Sequence, residues 1–427
     1  MNRTVYSIMF YLALPLIVLR LLWRSVRAPA YAQRWGERFG LVRQARQSYQ
    51  AAADARWLWV HAVSVGEVNA AAPIIRELLG KKNIELVVTV MTPTGSDRLR
   101  ELFGDSVCHV YAPYDYPGAV KRFLRVFKPE LLVLMETELW PNMIHFSHQA
   151  GLRMLLANAR LSEKSFRGYE KFARLGKPML AQLDLIAAQS ASDAERFRRL
   201  GVAAERVQLT GSIKFDITLP ADLDVRVSAL AGRLQGQRPI IVAASTREGE
   251  EEKVLNAFRH CLQEVPELLL VLVPRHPERF NAVARLCESR SLPVVRRSSA
   301  DPVGPLVKVL LGDSMGEMSV YLGLADIAFV GGSLVDTGCQ NVLEPAALGL
   351  PVLVGPSQFN FQHICEQLEA AGALQTVADE KALAAAILAL LNEETLRQRM
   401  GQAGMAVIRA NRGALQRTLA MLEALLK

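Results

Sequence analysis

The feature that most restricts this chain is a long alternation of short, continuously apolar runs with helical stretches. The first runs are WLWVHAVS (57–64), IELVVTVMT (84–92), CHVYAP (108–113), LLVLMET (131–137), RMLLANAR (153–160), LDLIAAQS (183–190) and VQLTGS (207–212). A strand with one face in water alternates polar and apolar residues, whereas a strand covered on both faces is apolar throughout. Spacers such as NAAAPIIRELLG and AVKRFLRVF read as helices. The pattern predicts parallel sheets clad by helices on both sides, an α/β doubly wound class.

The alternation pauses over LPADLDVRVSALAGRLQGQRP (219–239) and restarts with PIIVAAST (239–246), LLLVLVP (268–274), PVVRRSS (293–299), VKVLLG (307–312), IAFVGGS (327–333) and PVLVGP (351–356). Two Rossmann-like domains follow, 28–220 and 239–410, joined by a linker at 221–238 and preceded by an N-terminal helix over 1–27. A closing helix, 411–427, is expected to pack back on the first domain. With 427 residues, 51% of them hydrophobic, the chain can fill two cores. Ligands of open α/β sheets gather at the carboxyl ends of strands, so two such domains facing one another would make a cleft.

Charge is uneven. The formal net charge is +8, yet residues 1–50 alone hold eight arginines against one acid, Glu37. A basic patch confined to one end argues for a surface partner there, not for a nucleic-acid groove. Val5 to Leu19 carries no charge, and counted through Trp23 the apolar stretch is 19 residues, near the roughly 20 that cross a bilayer. Pro15 and Arg20 interrupt it. A span, an interfacial helix and a cleaved leader all fit. The arginines on its C-terminal side keep the rest of the chain cytoplasmic if the stretch enters a membrane. The five cysteines, 108, 261, 287, 339 and 365, form neither a metal spacing nor a disulfide framework.

Chemistry-bearing residues fall at strand ends: Ser64, Gly66 and Glu67; Thr92 to Asp97; Asp115; Glu136 and Glu138; Asn158 and Arg160; Lys214. In the second half they are Ser245 to Gly249, Pro274 to Pro277, Asp313 to Glu317, Gly331 to Ser333 and Asn341 to Pro345. Glu67 has two readings: a first-turn acid that complements the helix dipole, or a catalytic carboxylate at the sheet rim. Glycine-rich turns into helices, such as Gly331-Gly332-Ser333, offer backbone N–H groups to a phosphate. Asn341 and Glu344, three apart, can face one ligand, and a carboxylate there suits a ribose diol. Asp222-Leu223-Asp224 has a DxD form but falls in the linker, away from a strand end.

Taken together, SVGEVNAAAPII, VMTPTGSDR, YAPYDYPGAVKRFL, METELWPN, ANARLS, TGSIKFD, STREGEE, LVPRHPERF, GDSMGEM, AFVGGSLV and NVLEPAALGLPVLVGP resemble the 3-deoxy-D-manno-octulosonic acid (Kdo) transferases of Gram-negative bacteria, in order and over almost the whole chain. The resemblance implies a GT-B glycosyltransferase with CMP-Kdo as donor and the glucosamine disaccharide of a lipid A precursor as acceptor. It implies an inverting reaction at the cytoplasmic face of the inner membrane, with a lipid surface as partner, no cofactor, no bound metal and no nucleic acid. By the same resemblance Glu67 matches the general base, and Glu136 and Lys214 match positions that stabilise the transition state. Pro274, Arg275, Met315, Gly316, Glu317, Asn341, Val342, Leu343 and Glu344 match the CMP-binding segments. Where relatives carry Gly-Gly-His-Asn, this chain has Gly338-Cys339-Gln340-Asn341; it keeps the asparagine, so the contact to ribose or phosphate is expected to remain.

On this reading the helix start lowers the pKa of Glu67 and keeps it ionised. Two rival readings remain: a nucleotide-sugar epimerase, which shares the architecture but needs UDP recognition and no membrane segment, and a membrane-anchored nucleotide-binding scaffold without activity, against which Glu67, Glu136 and Lys214 together argue. Another lipid-linked glycosyltransferase is a third.

Overall fold

The computed structural model describes residues 1–52, 54–299 and 301–427. It separates into a first unit, Met1–Asp216 with Arg412–Lys427, and a second, Ile217–Asn411. Each is built on a parallel seven-stranded sheet, and the two together give the chain its GT-B class.

The first sheet comprises β1 (Arg56–His61), β2 (Ile84–Val90), β3 (Cys108–Tyr111), β4 (Leu131–Met135), β5 (Arg153–Ala159), β6 (Leu185–Ala188) and β7 (Val207–Leu209). Its order is β3-β2-β1-β4-β5-β6-β7, so the direction of winding reverses between β1 and β4. The continuous apolar runs arise because both faces are covered. Trp57 and Trp59 of β1 enter one core with Phe123 and Phe127, while Leu58 and Val60 enter the other with Ile74 and Ile75. The Trp59 ring centroid lies 4.3 Å from that of Phe123, and its indole N–H donates to Thr89 Oγ1 at 2.8 Å. Truncating so large a buried side chain to alanine would cost about 3–5 kcal/mol.

The second sheet comprises β8 (Ile240–Thr246), β9 (Leu269–Pro274), β10 (Val294–Arg296), β11 (Val309–Leu311), β12 (Ile327–Val330), β13 (Val352–Val354) and β14 (Leu374–Thr376). Its order, β10-β11-β9-β8-β12-β13-β14, reverses between β8 and β12. Strand β14 has no counterpart among the expected runs. It is three residues long and buries only Leu374, so it leaves no apolar run to read.

Residues 221–238 are not a free linker. They hold a helix, Leu223–Ala231, that belongs to the second unit, and Leu223 and Leu230 sit in one core with Val242 and Val271. Val227 packs beside them, but the exposed Val225 on the other side blurs the stripe in the sequence.

The last helix, Ala414–Leu426, belongs to the first unit. Leu419, Met421 and Leu422 join Leu58 and Ile74 in its core. Asp216 caps this helix: its carboxylate accepts the Gly413 and Leu415 N–H groups, both at 2.6 Å. Charged acceptors at a helix N-terminus satisfy donors that have no partner within the helix.

The first helix, Arg3–Arg27, is long and apolar enough to cross a membrane. Tyr6 donates its hydroxyl to the buried Asp115 at 3.0 Å, and Asp115 also accepts the Asn142 and Met143 N–H groups at 3.1 and 2.7 Å. Asn142 Oδ1 accepts from Ser7 Oγ at 2.9 Å and from Arg3 Nη1 at 3.2 Å.

Candidate active site

Glu67 stands in the first turn of the helix Val65–Leu79, which follows β1. Ser64 is the N-cap; its hydroxyl accepts the Glu67 N–H at 3.4 Å and donates to Glu67 Oε1 at 2.9 Å. The other oxygen, Oε2, accepts the Val63 N–H at 2.8 Å. Ser64 and Glu67 thus close a local box of the S-x-x-E kind, so the capping reading of Glu67 is part of the truth. It is not the whole. The residue is 8% exposed and stands where the sheet reverses direction, the place where open α/β sheets take ligands.

The expected fall in its pKa is corrected. Burial raises the Glu67 pKa, the negative charges of Glu138 and, less strongly, Glu136 raise it further, and the Val63 and Ser64 hydrogen bonds oppose them; the outcome is about 7. Desolvation and like charge together outweigh the helix start.

Glu136 follows β4 across the reversal, in the left-handed region with φ 53°. Lys214 Nζ approaches its Oε1 at 3.1 Å, and Asn158 Nδ2 donates to the same oxygen at 3.4 Å. Asn158 is fully buried, also left-handed with φ 52°, and its Oδ1 accepts the Ile213 N–H at 3.1 Å. Asn158 thereby ties the end of β5 to the turn that carries Lys214. Left-handed non-glycine residues cost backbone energy, and two of them stand on the neighbouring ends of β4 and β5. Glu138 accepts the Trp140 indole N–H at 2.8 Å; burial raises its pKa, and the neighbouring Glu136 adds to the rise. The structure therefore brings Glu67, Glu136 and Lys214 to one edge of the first unit, with Glu138 and Asn158 beside them.

In the second unit, Pro274 ends β9 and the Arg275 N–H donates to Thr246 O at 3.0 Å. Arg247 and His276 lie alongside, joined by a hydrogen bond between Nη1 and Nε2. Burial, then the charge of Arg247, holds the His276 pKa below its usual value, so the ring can accept from the guanidinium. Met315 is exposed, and Gly316 has φ 75° with open space where a side chain would stand. The Glu317 carboxylate meets Arg297 at 2.9 Å and Arg226 at 3.6 Å. Burial would raise its pKa, but the Ser314 hydroxyl and the two guanidiniums bring it below the ordinary value. The loop is pinned by Glu317 and presents Met315 and Gly316.

Asn341 donates to Glu344 Oε1 at 2.9 Å and accepts the Leu343 N–H at 3.0 Å. Burial raises the Glu344 pKa against that bond. Val342 and Leu343 are buried, so they offer a ligand backbone and not side chain. Gln340 turns back, its Nε2 donating to Gly338 O at 3.2 Å. Cys339 is buried with its sulfur 3.7 Å from that of Cys365.

The Gly331-Gly332-Ser333 turn does not offer its amides to a phosphate. The carboxylate of Glu250 already holds the N–H groups of Gly332 at 2.6 Å, Ser333 at 3.0 Å, Leu334 at 2.9 Å and Arg247 at 3.1 Å. The chain supplies its own anion at the reversal point of the second sheet. From the sequence Glu250 is legible only within STREGEE and without a role, because three of its four partners lie more than eighty positions away. Its one signal was an acid opening a helix after a strand, with a Gly-Gly-Ser turn after another. A cavity of about 1130 Å³ elsewhere in the first unit, lined by Arg34, Arg100 and His109 among others, includes none of Glu67, Glu136 or Lys214.

A family profile described as "3-Deoxy-D-manno-octulosonic-acid transferase (kdotransferase)" matches residues 33–217, and one described as "Glycosyl transferases group 1" matches 240–407. The chain is 42% identical to the 3-deoxy-D-manno-octulosonic acid transferase of Haemophilus influenzae, over 99% of this chain and 98% of that one. Its identity to the Bordetella pertussis transferase of the same description is 39%, over 99% of each. Among solved structures, the UDP-GlcNAc 2-epimerase of Neisseria meningitidis bound to UDP-GlcNAc is similar with a TM-score of 0.55 at 15% identity, covering 87% of this chain and 99% of that one. At that identity the likeness concerns the fold alone.

Proposed function

The chain belongs to the 3-deoxy-D-manno-octulosonic acid transferase family, and from that premise we propose an inverting transfer of Kdo from CMP-Kdo to the glucosamine disaccharide of a lipid A precursor, at the cytoplasmic face of the inner membrane. The first unit takes the acceptor and the second takes the donor. Glu67 removes the proton of the acceptor hydroxyl as its oxygen bonds to the anomeric carbon of Kdo. The bond from that carbon to the phosphate oxygen breaks, and CMP departs as a phosphate monoester with one more negative charge.

The observation that carries this reading is the Glu67 carboxylate, held at a sheet rim with its pKa raised to about 7. A base poised near the working pH is balanced between taking a proton and releasing it. Lys214, beside Glu136, offsets charge that develops as CMP leaves. Arg275, with Met315 to Glu317 and Asn341 to Glu344, holds the nucleotide; Glu344 suits the ribose diol. The Gly331 turn is left out of donor binding because Glu250 fills it.

The test is product mass. Incubation with CMP-Kdo and a tetra-acylated disaccharide precursor should add Kdo to the lipid and release CMP in step, and Glu67→Gln should abolish both while CMP still binds. Release of CMP without a heavier lipid, or full turnover by the Gln variant, would refute the assignment.

A further inference from the structure

The first helix, Arg3–Arg27, has two unlike sides. One is fastened to the first unit along its length. Near the N-terminal end Tyr6 reaches Asp115, Ser7 and Arg3 reach Asn142, and the Gly118 N–H donates to Tyr11 Oη at 3.2 Å. Near the C-terminal end Leu21 is buried and the Arg24 guanidinium lies over the Tyr31 ring, 5.3 Å from its centroid. The other side is bare. Ile8, Leu12, Leu16, Leu19, Trp23 and Val26 recur every three or four residues and are all exposed, Leu12 at 75% and Val26 at 85%. That spacing draws one apolar stripe along the helix.

Length does not decide between crossing a bilayer and lying on one. A helix of 25 residues is about 37 Å long, against a hydrocarbon core of about 30 Å. The polar fastenings do decide. A crossing would carry the first turns to the far side and strip Asp115 of Tyr6 and Asn142 of Ser7 and Arg3. Both acceptors are buried with the helix in place, and a crossing would give up these hydrogen bonds together with the cover that Arg3, Tyr6 and Ser7 provide.

We infer that this helix lies in the plane of an anionic lipid surface with its bare stripe immersed, so that both of its ends stay on the side that carries the rest of the chain. The inference rests on the proposed membrane location and specifies how the chain is held there. Charge complementarity names the occupant: Arg20, Arg24 and Arg27 rise from the same helix, in a segment of eight arginines and one acid. Anionic headgroups attract such a cluster, whereas a second copy would bring the same arginines with it. Arg27 also covers the exposed Trp23, 4.1 Å from the ring centroid, a pair suited to the headgroup level. The fastening points, Asp115 after β3 and Asn142 after β4, lie on the carboxyl edge of the sheet that also carries Glu67 and Glu136. A sugar borne on lipid would meet that edge without leaving the surface.

Two measurements on the full chain test this. A cleavable tag placed before Met1 should resist protease added outside intact spheroplasts and be cut in inverted inner-membrane vesicles; cutting from outside the spheroplasts would overturn the inference. Leu12→Glu with Leu16→Glu should reduce co-flotation with phosphatidylglycerol-containing vesicles at least tenfold, with an unchanged melting midpoint. Unchanged flotation would overturn it, as would a lipid-free dimer that the same pair of substitutions dissociates. Neither measurement requires sugar transfer, so a chain that fails to make product but behaves as stated here refutes the proposed reaction and leaves the topology standing.

Discussion

Lys214 reaches Glu136 across the carboxyl edge of the first sheet, Nζ to Oε1 3.1 Å, so a cation and an anion from strand ends distant in sequence meet beside the Glu67 helix. If the lysine offsets charge on the leaving group, Lys214→Ala should lower kcat by roughly 10²–10³. The CMP dissociation constant should change far less. Single-turnover rates with isothermal titration of CMP would check the split; equal loss in both would assign Lys214 to ground-state binding.

The raised pKa of Glu67 predicts an acid limb. Its base form predominates only above about 7, so kcat/KM should fall tenfold per pH unit below that value. Glu138→Gln removes the stronger of the two negative influences and should slide the limb toward lower pH, whereas Glu67→Gln should remove it together with most of the activity. A limb that stays in place in the Glu138 variant would sink the electrostatic account.

Glu250 holds four backbone N–H groups, three of them on a segment more than eighty positions away. Glu250→Ala leaves buried donors without a partner, at about 1–3 kcal/mol each where water does not reach them. A loss of roughly 3–5 kcal/mol should lower the calorimetric midpoint of the second unit by about 6–20 °C. A melt indistinguishable from wild type would show that the turn finds other acceptors.

The Arg275 guanidinium belongs to a cluster with Arg247 and His276 at the end of β9. Arg275→Ala should weaken CMP binding about tenfold or more and leave the KM for the lipid acceptor nearly unchanged. The reverse pattern in steady-state kinetics would move this arginine to the acceptor.

A monophosphate leaving group carries less charge than a diphosphate, and side-chain cations can offset it. Transfer should therefore proceed at an unchanged rate in EDTA. Loss of activity that Mg²⁺ restores would show that the side chains alone do not suffice.

How much of this could be read before the fold was known depended on range. All the strands but β14 were legible because Trp59, Val60 and their counterparts are covered on two faces, which leaves an unbroken apolar run. The helix Leu223–Ala231 was not, because the exposed Val225 blurs the stripe that Leu223, Val227 and Leu230 make. At the site, the placement of Glu67, Glu136 and Lys214 at strand ends was legible and their electrostatics were not. The neighbours that raise the Glu67 pKa come from beyond β4, some seventy positions on, and a local reading saw only the helix start. The same distance hid Glu250, whose partners in the chain are brought to it only when β8 and β12 pair.

The return of the chain to its first unit bears on how it is made. The chain leaves that unit at Asp216 and re-enters it at Arg412. Translation therefore begins one body, completes the other in the interval, and only afterwards delivers the segment bearing Leu419 and Leu422. The half that emerges earliest from the ribosome is finished last, and a stop codon just ahead of Arg412 would spare the younger half while leaving the older one with an open seam.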